Sequence, residues 1–358
     1  MPMEERIEVC LSMAAVEWSR HLMNDGVSAN RVMDALGLAV AEASRWRAEA
    51  GGGPPLRPAE LVECLSRPMA EWLPEGEGVC LLEAGEPTAW TQEVAELQGA
   101  DPLLEAQQRV ILTALDTLQL REDGERQYAE LRQFLIDHPL ALASEVRARL
   151  IPLGLALSDC YQAVPAPCLR SMNGEDVCYP CPRCGWPMWM QRRTGAMRCH
   201  AVACVAEGVR FGWLHGRPVP TGNKAWDARP VPVAGRVRLT PGLWRYTVLP
   251  GLWELDLARR LRRIPGVEVA LWPRLDLYDL DVRHGARQWR VDVKDHRSPR
   301  RLLELLRQHP PSVPTHVVIP DGRRADLSLL RHGAGPESLW SFETCSGFVR
   351  LVRREIRV

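Results

Sequence analysis

Five of the eleven cysteines in this 358-residue chain fall between positions 178 and 204, as Cys178-Tyr-Pro-Cys181-Pro-Arg-Cys184-Gly185 and Arg198-Cys199-His200-Ala-Val-Ala-Cys204. Two tight pairs about fifteen residues apart match a zinc ribbon, in which each pair sits on a turn and the chain between them forms a hairpin. The spacing places Zn2+ on Cys181, Cys184, Cys199 and Cys204, while Cys178 offers a competing pair with Cys181 and His200 competes with Cys199. Four thiolates close the coordination sphere, so this zinc is expected to be structural. The remaining six cysteines (Cys10, Cys64, Cys80, Cys160, Cys168, Cys345) are scattered and read as buried small hydrophobes rather than as a disulfide framework. Trp186, Trp189 and Trp213 flank the cluster, with Arg192, Arg193 and Arg198 between them. Such a mixture either stacks bases and contacts phosphates or packs against the metal site.

The rest of the chain divides by charge. Residues 1–165 carry 13 arginines against 27 acids, and residues 166–358 carry 32 basic residues against 18 acids, so the net charge of zero hides two opposed halves. The basic half suits a polyanion, with DNA the first expectation and RNA the second. Neither a basic stretch leading into an apolar core at Met1-Pro2-Met3-Glu4-Glu5-Arg6 nor an apolar run of the ~20 residues a membrane helix needs is present, and the cytoplasm is expected.

Apolar residues at helical spacing (Ile7, Leu11, Ala14, Ala15, Trp18; Val110, Leu112, Leu115, Leu118) predict an acidic helical partner or regulatory domain over 1–165. Gly51-Gly52-Gly53-Pro54-Pro55 interrupts it, and Ser28 marks a helix start. The zinc ribbon and a proline-rich linker follow over 166–235, and an α/β domain with a small mixed central sheet over 236–358. In that domain the pattern predicts a hairpin at Val237–Val248 around Pro241-Gly242, a helix at Pro250–Ile264, and strands at Val267–Val282 and Trp289–Asp295 about a His284-Gly285-Ala286 turn. A helix capped by Ser298-Pro299, a strand at Thr315–Ile319, a helix at Leu327–Arg331 and a last strand at Phe348–Ile356 complete it.

Only two of the 45 basic residues are lysines, Lys224 and Lys294, and Lys294 stands in Val291-Asp292-Val293-Lys294. Lysine is a compact, flexible ammonium with an adjustable pKa, which arginine is not. On a strand Asp292 and Lys294 leave the same face. With a two- or four-residue turn, Asp279 lies opposite Asp292, and Asp281 faces Arg290 as a cross-strand ion pair. Facing buried carboxylates repel unless a cation sits between them, and Mg2+ suits oxygen ligands, retained waters and phosphate. Lys294 would then orient or deprotonate a water, which describes metal-dependent phosphodiester hydrolysis. On the preceding helix Glu254 falls within the apolar stripe of Leu257, Ala258, Leu261 and Ile264. It is either an extra ligand or an acid paired to an arginine.

Glu254 on a helix, Asp279 on a strand and Asp292-Val293-Lys294 on the next resemble the PD-(D/E)XK nuclease superfamily, with Tyr278 where the name-giving proline stands. The resemblance covers roughly residues 236–358. It implies a restriction-endonuclease-like fold and Mg2+-dependent cleavage of DNA, with the two aspartates as ligands, Lys294 positioning the nucleophile and Glu254 assisting. Pro250-Gly251-Leu252-Trp253-Glu254-Leu255, Leu277-Tyr278-Asp279-Leu280 and Val291-Asp292-Val293-Lys294-Asp295 further resemble the nuclease-like proteins encoded beside Piwi-RE proteins and a helicase in bacterial defence islands. That likeness implies a role against plasmids or phage, in a complex with such partners. The alternative is a nucleic-acid-binding scaffold whose nuclease fold acts only in a complex or not at all.

Overall fold

Alanines set the contact between the first two helices, α1 (Met3–Leu22) and α2 (Ala29–Glu49). Ile7, Leu11, Ala14 and Ala15 on one and Val32, Leu36, Ala39, Ala43 and Trp46 on the other are buried at intervals of one helical turn, and the small residues let the axes approach. Ser28 caps α2, its hydroxyl accepting from the Arg31 amide at 3.3 Å. Helix α3 (Pro58–Cys64) adds Leu61 to this core. The computed structural model describes residues 3–22, 28–51, 54–74, 80–83, 85–88, 91, 94–95, 110–111, 113–190, 196–222, 224–296, 299–335 and 338–356. Met1–Pro102 forms one compact unit and Leu103–Val358 another. Among the described residues no helix is long and apolar enough to cross a membrane.

In the second unit helix α4 (Gly124–Asp137) buries Tyr128, Leu131, Leu135 and Ile136, which pack with Ile111, Ala114 and Leu118 of the helical stretch before it. A short strand, Arg236–Leu239, pairs antiparallel with both Leu140–Leu142 and Tyr161–Gln162, so chain from before and after the cysteine segment shares one sheet. The hairpin expected over Val237–Val248 does not form. Pro241 takes the first position of a helix instead, Pro241–Leu243, which widens through the π-helical Trp244–Val248 and continues as α5 (Leu249–Leu261). Leu243, Trp244, Thr247 and Val248 are buried at helical intervals, which outweighs the turn tendency of Pro-Gly. The wide turn sits just before Pro250, which has no amide to bond a preceding carbonyl.

The C-terminal sheet is mixed, in the order β1 (Glu268–Leu271), β2 (Leu280–His284), β3 (Arg287–Val293), β4 (Thr315–Ile319) and β5 (Trp340–Thr344). The first three strands are antiparallel and the last three parallel. Helices α6 (Pro299–Gln308) and α7 (Leu327–Ala334) make the two crossovers that parallel strands require. Ser298, expected to cap α6, lies outside the described residues. The last segment, expected as a strand over Phe348–Ile356, is helix α8 (Cys345–Glu355). Cys345, Phe348, Val349 and Val352 are buried at helical spacing, and the Thr344 hydroxyl caps it by accepting from the Gly347 amide at 3.0 Å.

Alternation along the strands separates two cores. Val291, Val293 and Val318 pack with Leu257, Ala258 and Leu261 of α5 and Phe348 and Val352 of α8. Val317, Ile319 and Phe342 face Leu302, Leu303 and Leu306 of α6 and Leu330 of α7. Asp292 stands opposite Val317 in the register and therefore leaves the α6/α7 face of β3.

Candidate metal centre and active site

The four sulfurs of Cys181, Cys184, Cys199 and Cys204 all lie within 4.8 Å of one another, and all four residues are buried. Each pair sits on a tight turn. Gly185 adopts φ +69° and its amide donates to the Cys181 carbonyl at 2.8 Å, while the Cys204 amide donates to the Ala201 carbonyl at 3.0 Å. Cys178 is elsewhere, opposite Val231 in a strand pair and packed with Val164 and Cys168. His200 lies against Trp189, with ring centroids 4.6 Å apart. Hydrogen bonds from Cys181, Cys184 and Cys199 hold Cys204 far below the usual thiol range, whereas burial pushes Cys184 and Cys199 well above it. Four buried sulfurs crowd one another, and a dication would let all four ionise. Sulfurs at the corners of a Zn–S tetrahedron are about 3.8 Å apart, so the cluster is of the right size to hold such a metal.

The tryptophans around it are engaged in packing. Trp186 stacks on Trp244 at 4.4 Å, and Trp213 meets Tyr179 edge-on while the Arg170 guanidinium lies over its ring. Arg192 and Arg193 lie outside the described residues.

In the carboxylate cluster β2 and β3 pair as the short-turn register predicts, with Leu280 opposite Val291 and Asp281 opposite Arg290. The pairing runs on past β2, because the Asp279 amide donates to the Val291 carbonyl at 3.1 Å. Asp279 Oδ2 in turn accepts from the Val293 amide at 2.6 Å. Lys294 Nζ lies 3.6 Å from Asp279 Oδ2 and 3.9 Å from Asp292 Oδ1. The expected Asp281–Arg290 ion pair is absent. Asp281 binds Arg283 at 2.7 Å and Gln288 at 2.7 Å, which occupies both of its oxygens, and Arg290 lies over the Tyr278 ring. The nearer arginine on its own strand wins.

Glu254 is 1% exposed on the buried face of α5, and its partner is an arginine. Arg132, from α4, donates to both carboxylate oxygens at 2.8 and 3.0 Å, and the Trp272 indole N–H donates to Oε2. Arg132 also binds Asp276, whose Oδ2 accepts from the Tyr128 hydroxyl at 2.8 Å. Trp272 and Asp276 are delivered by an unusual turn. Trp272, Arg274, Leu275 and Asp276 all have positive φ, between 51° and 70°, in a left-handed conformation that costs L-residues about 1–2 kcal/mol each. Gly251 lies where α4 and α5 cross, and a Cβ there would fall inside the Ile136 side chain.

Among the described residues no three carboxylates come within 4.8 Å of one another as the cysteine sulfurs do. Glu254 points from the α5 side of the sheet, and Asp292 from the other face. The groups nonetheless share one electrostatic environment. Burial alone would lower Lys294, but Asp279, Asp292, Glu254 and Asp276 outweigh it and raise the ammonium above its ordinary value. Burial, with Asp279, raises Asp292 against the pull of Lys294. Burial, with Asp279, pushes Glu254 up to about 8 against the pull of Arg132. Four acids (Glu254, Asp276, Asp279, Asp292) share two cations (Arg132, Lys294), and the upward shifts of Glu254 and Asp292 express that excess of acid. Asp276 Oδ1 is buried without a hydrogen-bond partner. Both facts fit a bound dication.

Arg132, Asp276, Tyr128 and Trp272 were not anticipated. A signal for Arg132 existed, since it falls on the stripe of Tyr128, Leu131 and Leu135, as Glu254 falls on its own.

Comparison with known families gives two matches. Residues 251–358 match the model of an REase associating with pPIWI_RE, and residues 8–141 match that of pPIWI_RE three-gene island domain Y. The first span contains Glu254, Asp276, Asp279, Asp292 and Lys294, and the second contains Arg132. No curated protein and no solved structure matches the chain.

Proposed function

We propose that this chain, a Piwi-RE-island nuclease-like protein by both of its family matches, is a Mg2+-dependent DNA endonuclease with a restriction-endonuclease-like C-terminal domain and a structural zinc ribbon. The observation that carries the proposal is the convergence of Asp279, Asp292 and Lys294 at the end of β3, beside a buried Asp276 oxygen that has no hydrogen-bond partner. Asp279 and Asp292 are the residues to hold Mg2+, with Asp276 Oδ1 the nearest unpartnered oxygen. The ion would supply charge stabilisation at the phosphate and a more acidic water. Lys294 stays protonated beside the two aspartates, so it directs a proton-donating, positively charged group at an attacking water or a phosphate oxygen. Val293 fixes Asp279 through its amide, and the strand fixes Asp292 and Lys294 on one face. Cys181, Cys184, Cys199 and Cys204 hold Zn2+, whose closed sphere leaves it a structural part.

The family matches support a place in a prokaryotic defence complex, acting in the cytoplasm on plasmid or phage DNA beside Piwi-like and helicase partners. The acidic helices of 1–165 then serve as the partner-facing or regulatory part, and 236–358 as the nuclease. Incubation of the purified protein with supercoiled plasmid tests the core of this. Cleavage should require Mg2+, cease in EDTA, and vanish in Asp292→Ala and Lys294→Ala. No cleavage of duplex, single strand or RNA would remove the autonomous enzyme.

One observation favours a second reading, in which activity depends on a complex. Glu254 is bound on both oxygens by Arg132 and is not free to assist. Nucleic-acid binding that is salt-sensitive yet indifferent to Mg2+ and to both substitutions would favour this scaffold role.

A further inference from the structure

Parallel strands β3, β4 and β5 align Val293, Val318 and Glu343 in register. Their carboxyl ends, and Lys294, Asp321 and Ser346 that follow them, therefore share one edge of the sheet, the edge at which open α/β sheets take ligands. From that edge a cleft of about 270 Å3 runs between α5 and α8, lined by Arg260, Arg263, Ser346, Val349, Arg350 and Arg353.

Only one of the four arginines is neutralised. Arg260 binds Asp256 at 2.6 Å and Asp321 at 3.2 Å. Asp321 also accepts from the Ser346 amide at 2.8 Å and hydroxyl at 2.7 Å, which anchors the start of α8 to the cleft. Arg263, Arg350 and Arg353 are exposed, and among the described residues none of them makes an ion pair. Arg350 and Arg353 stand one turn apart on α8, so their guanidiniums project side by side. Three uncompensated charges on one concave wall repel one another. An anion relieves that repulsion, and the guanidinium fork matches phosphate best.

Helix α8 runs from Ser346 at that edge to Glu355, which accepts from the Trp289 indole N–H at 2.9 Å near the start of β3, so Arg350 and Arg353 line the flank of the domain away from the edge. We propose that the arginine cleft binds backbone phosphates of a nucleic-acid strand. The anion site does not rest on the nuclease reading. DNA and RNA share the phosphodiester that the cleft recognises.

The test uses full-length protein carrying Asp292→Ala, without added Mg2+, with fluorescently labelled DNA duplex, single-stranded DNA and RNA duplex over a salt series. Adding Arg350→Gln and Arg353→Gln together should weaken the bound probe about 10-fold and reduce the slope of log affinity against log salt by about 2. The probe that loses most identifies the source of the phosphates. Arg350→Lys with Arg353→Lys should restore the slope, because each lysine keeps its charge. Unchanged affinity and slope for all three probes, in a variant that melts with its parent, would overturn the cleft. So would equal binding of polyglutamate by the parent and equal loss of it in the variant, which would make the cleft a dock for acidic protein. Weakened binding beside a Mg2+-loaded parental protein that cuts nothing keeps the cleft and removes the nuclease. Cleavage with unchanged binding does the reverse.

Discussion

Arg132 donates two hydrogen bonds to the carboxylate of Glu254 across 122 positions of sequence, and both side chains are almost wholly buried. An arginine from the stretch matching the island domain thus closes on an acid at the start of the stretch matching the REase.

Truncating Arg132 leaves Glu254 and Asp276 as buried, unpaired carboxylates. Arg132→Ala should therefore destabilise the protein by about 3–5 kcal/mol in chemical denaturation. Arg132→Lys retains the charge but has one nitrogen where Arg132 uses two, Nη2 for Glu254 and Nη1 for Asp276, and should recover only part of the loss. A change under about 1 kcal/mol for Arg132→Ala would mean that the pair is not formed in solution.

On the nuclease reading, charge alone does not define the role of Lys294. A guanidinium cannot sit in the space between Asp279 and Asp292 as a compact ammonium does. Lys294→Arg should keep nucleic-acid binding within about 3-fold and lower plasmid cleavage by about 100-fold or more. Retained cleavage would reduce Lys294 to a counter-charge.

Metal content separates the cysteines. The purified chain should carry one zinc, lost in Cys184→Ser and Cys199→Ser and kept in Cys178→Ser, as read by elemental analysis. Chelation should lower the melting temperature by roughly 10 °C, since a structural zinc contributes several kcal/mol and each kcal/mol shifts a domain of this size by about 2–4 °C. Zinc loss in Cys178→Ser would reassign the ligand set.

The left-handed turn offers a gain of stability. Arg274 is exposed at φ +52°, so its side chain contributes little while its backbone is strained. Arg274→Gly should raise stability by up to about 1 kcal/mol without loss of zinc or cleavage. A loss of similar size would show that the turn is not left-handed.

What could be read in advance was local. Cys181, Cys184, Cys199 and Cys204 share a motif of fixed spacing, and Asp292 and Lys294 share a face through the two-residue period of a strand. The opposition of Asp279 and Asp292 needed only a turn length. The partner of Glu254 depended on where α4 crosses α5, which no window of sequence around either residue reports. Phe348–Ile356 was misread because Val-Arg-Leu-Val-Arg alternates well enough for a strand, and its helical set of Cys345, Phe348, Val349 and Val352 began three residues earlier. Pro241-Gly242 was misread because proline opens both turns and helices.

At Gly251 the backbone of α5 comes so close to Ile136 of α4 that no side chain fits between them. The two family-matched stretches are consequently not interchangeable cassettes. A chimera that borrows residues 8–141 from a relative takes from that relative both the knob for this socket and the cation for Glu254, so a successful graft must keep Ile136 and Arg132 along with the acid and the glycine they meet.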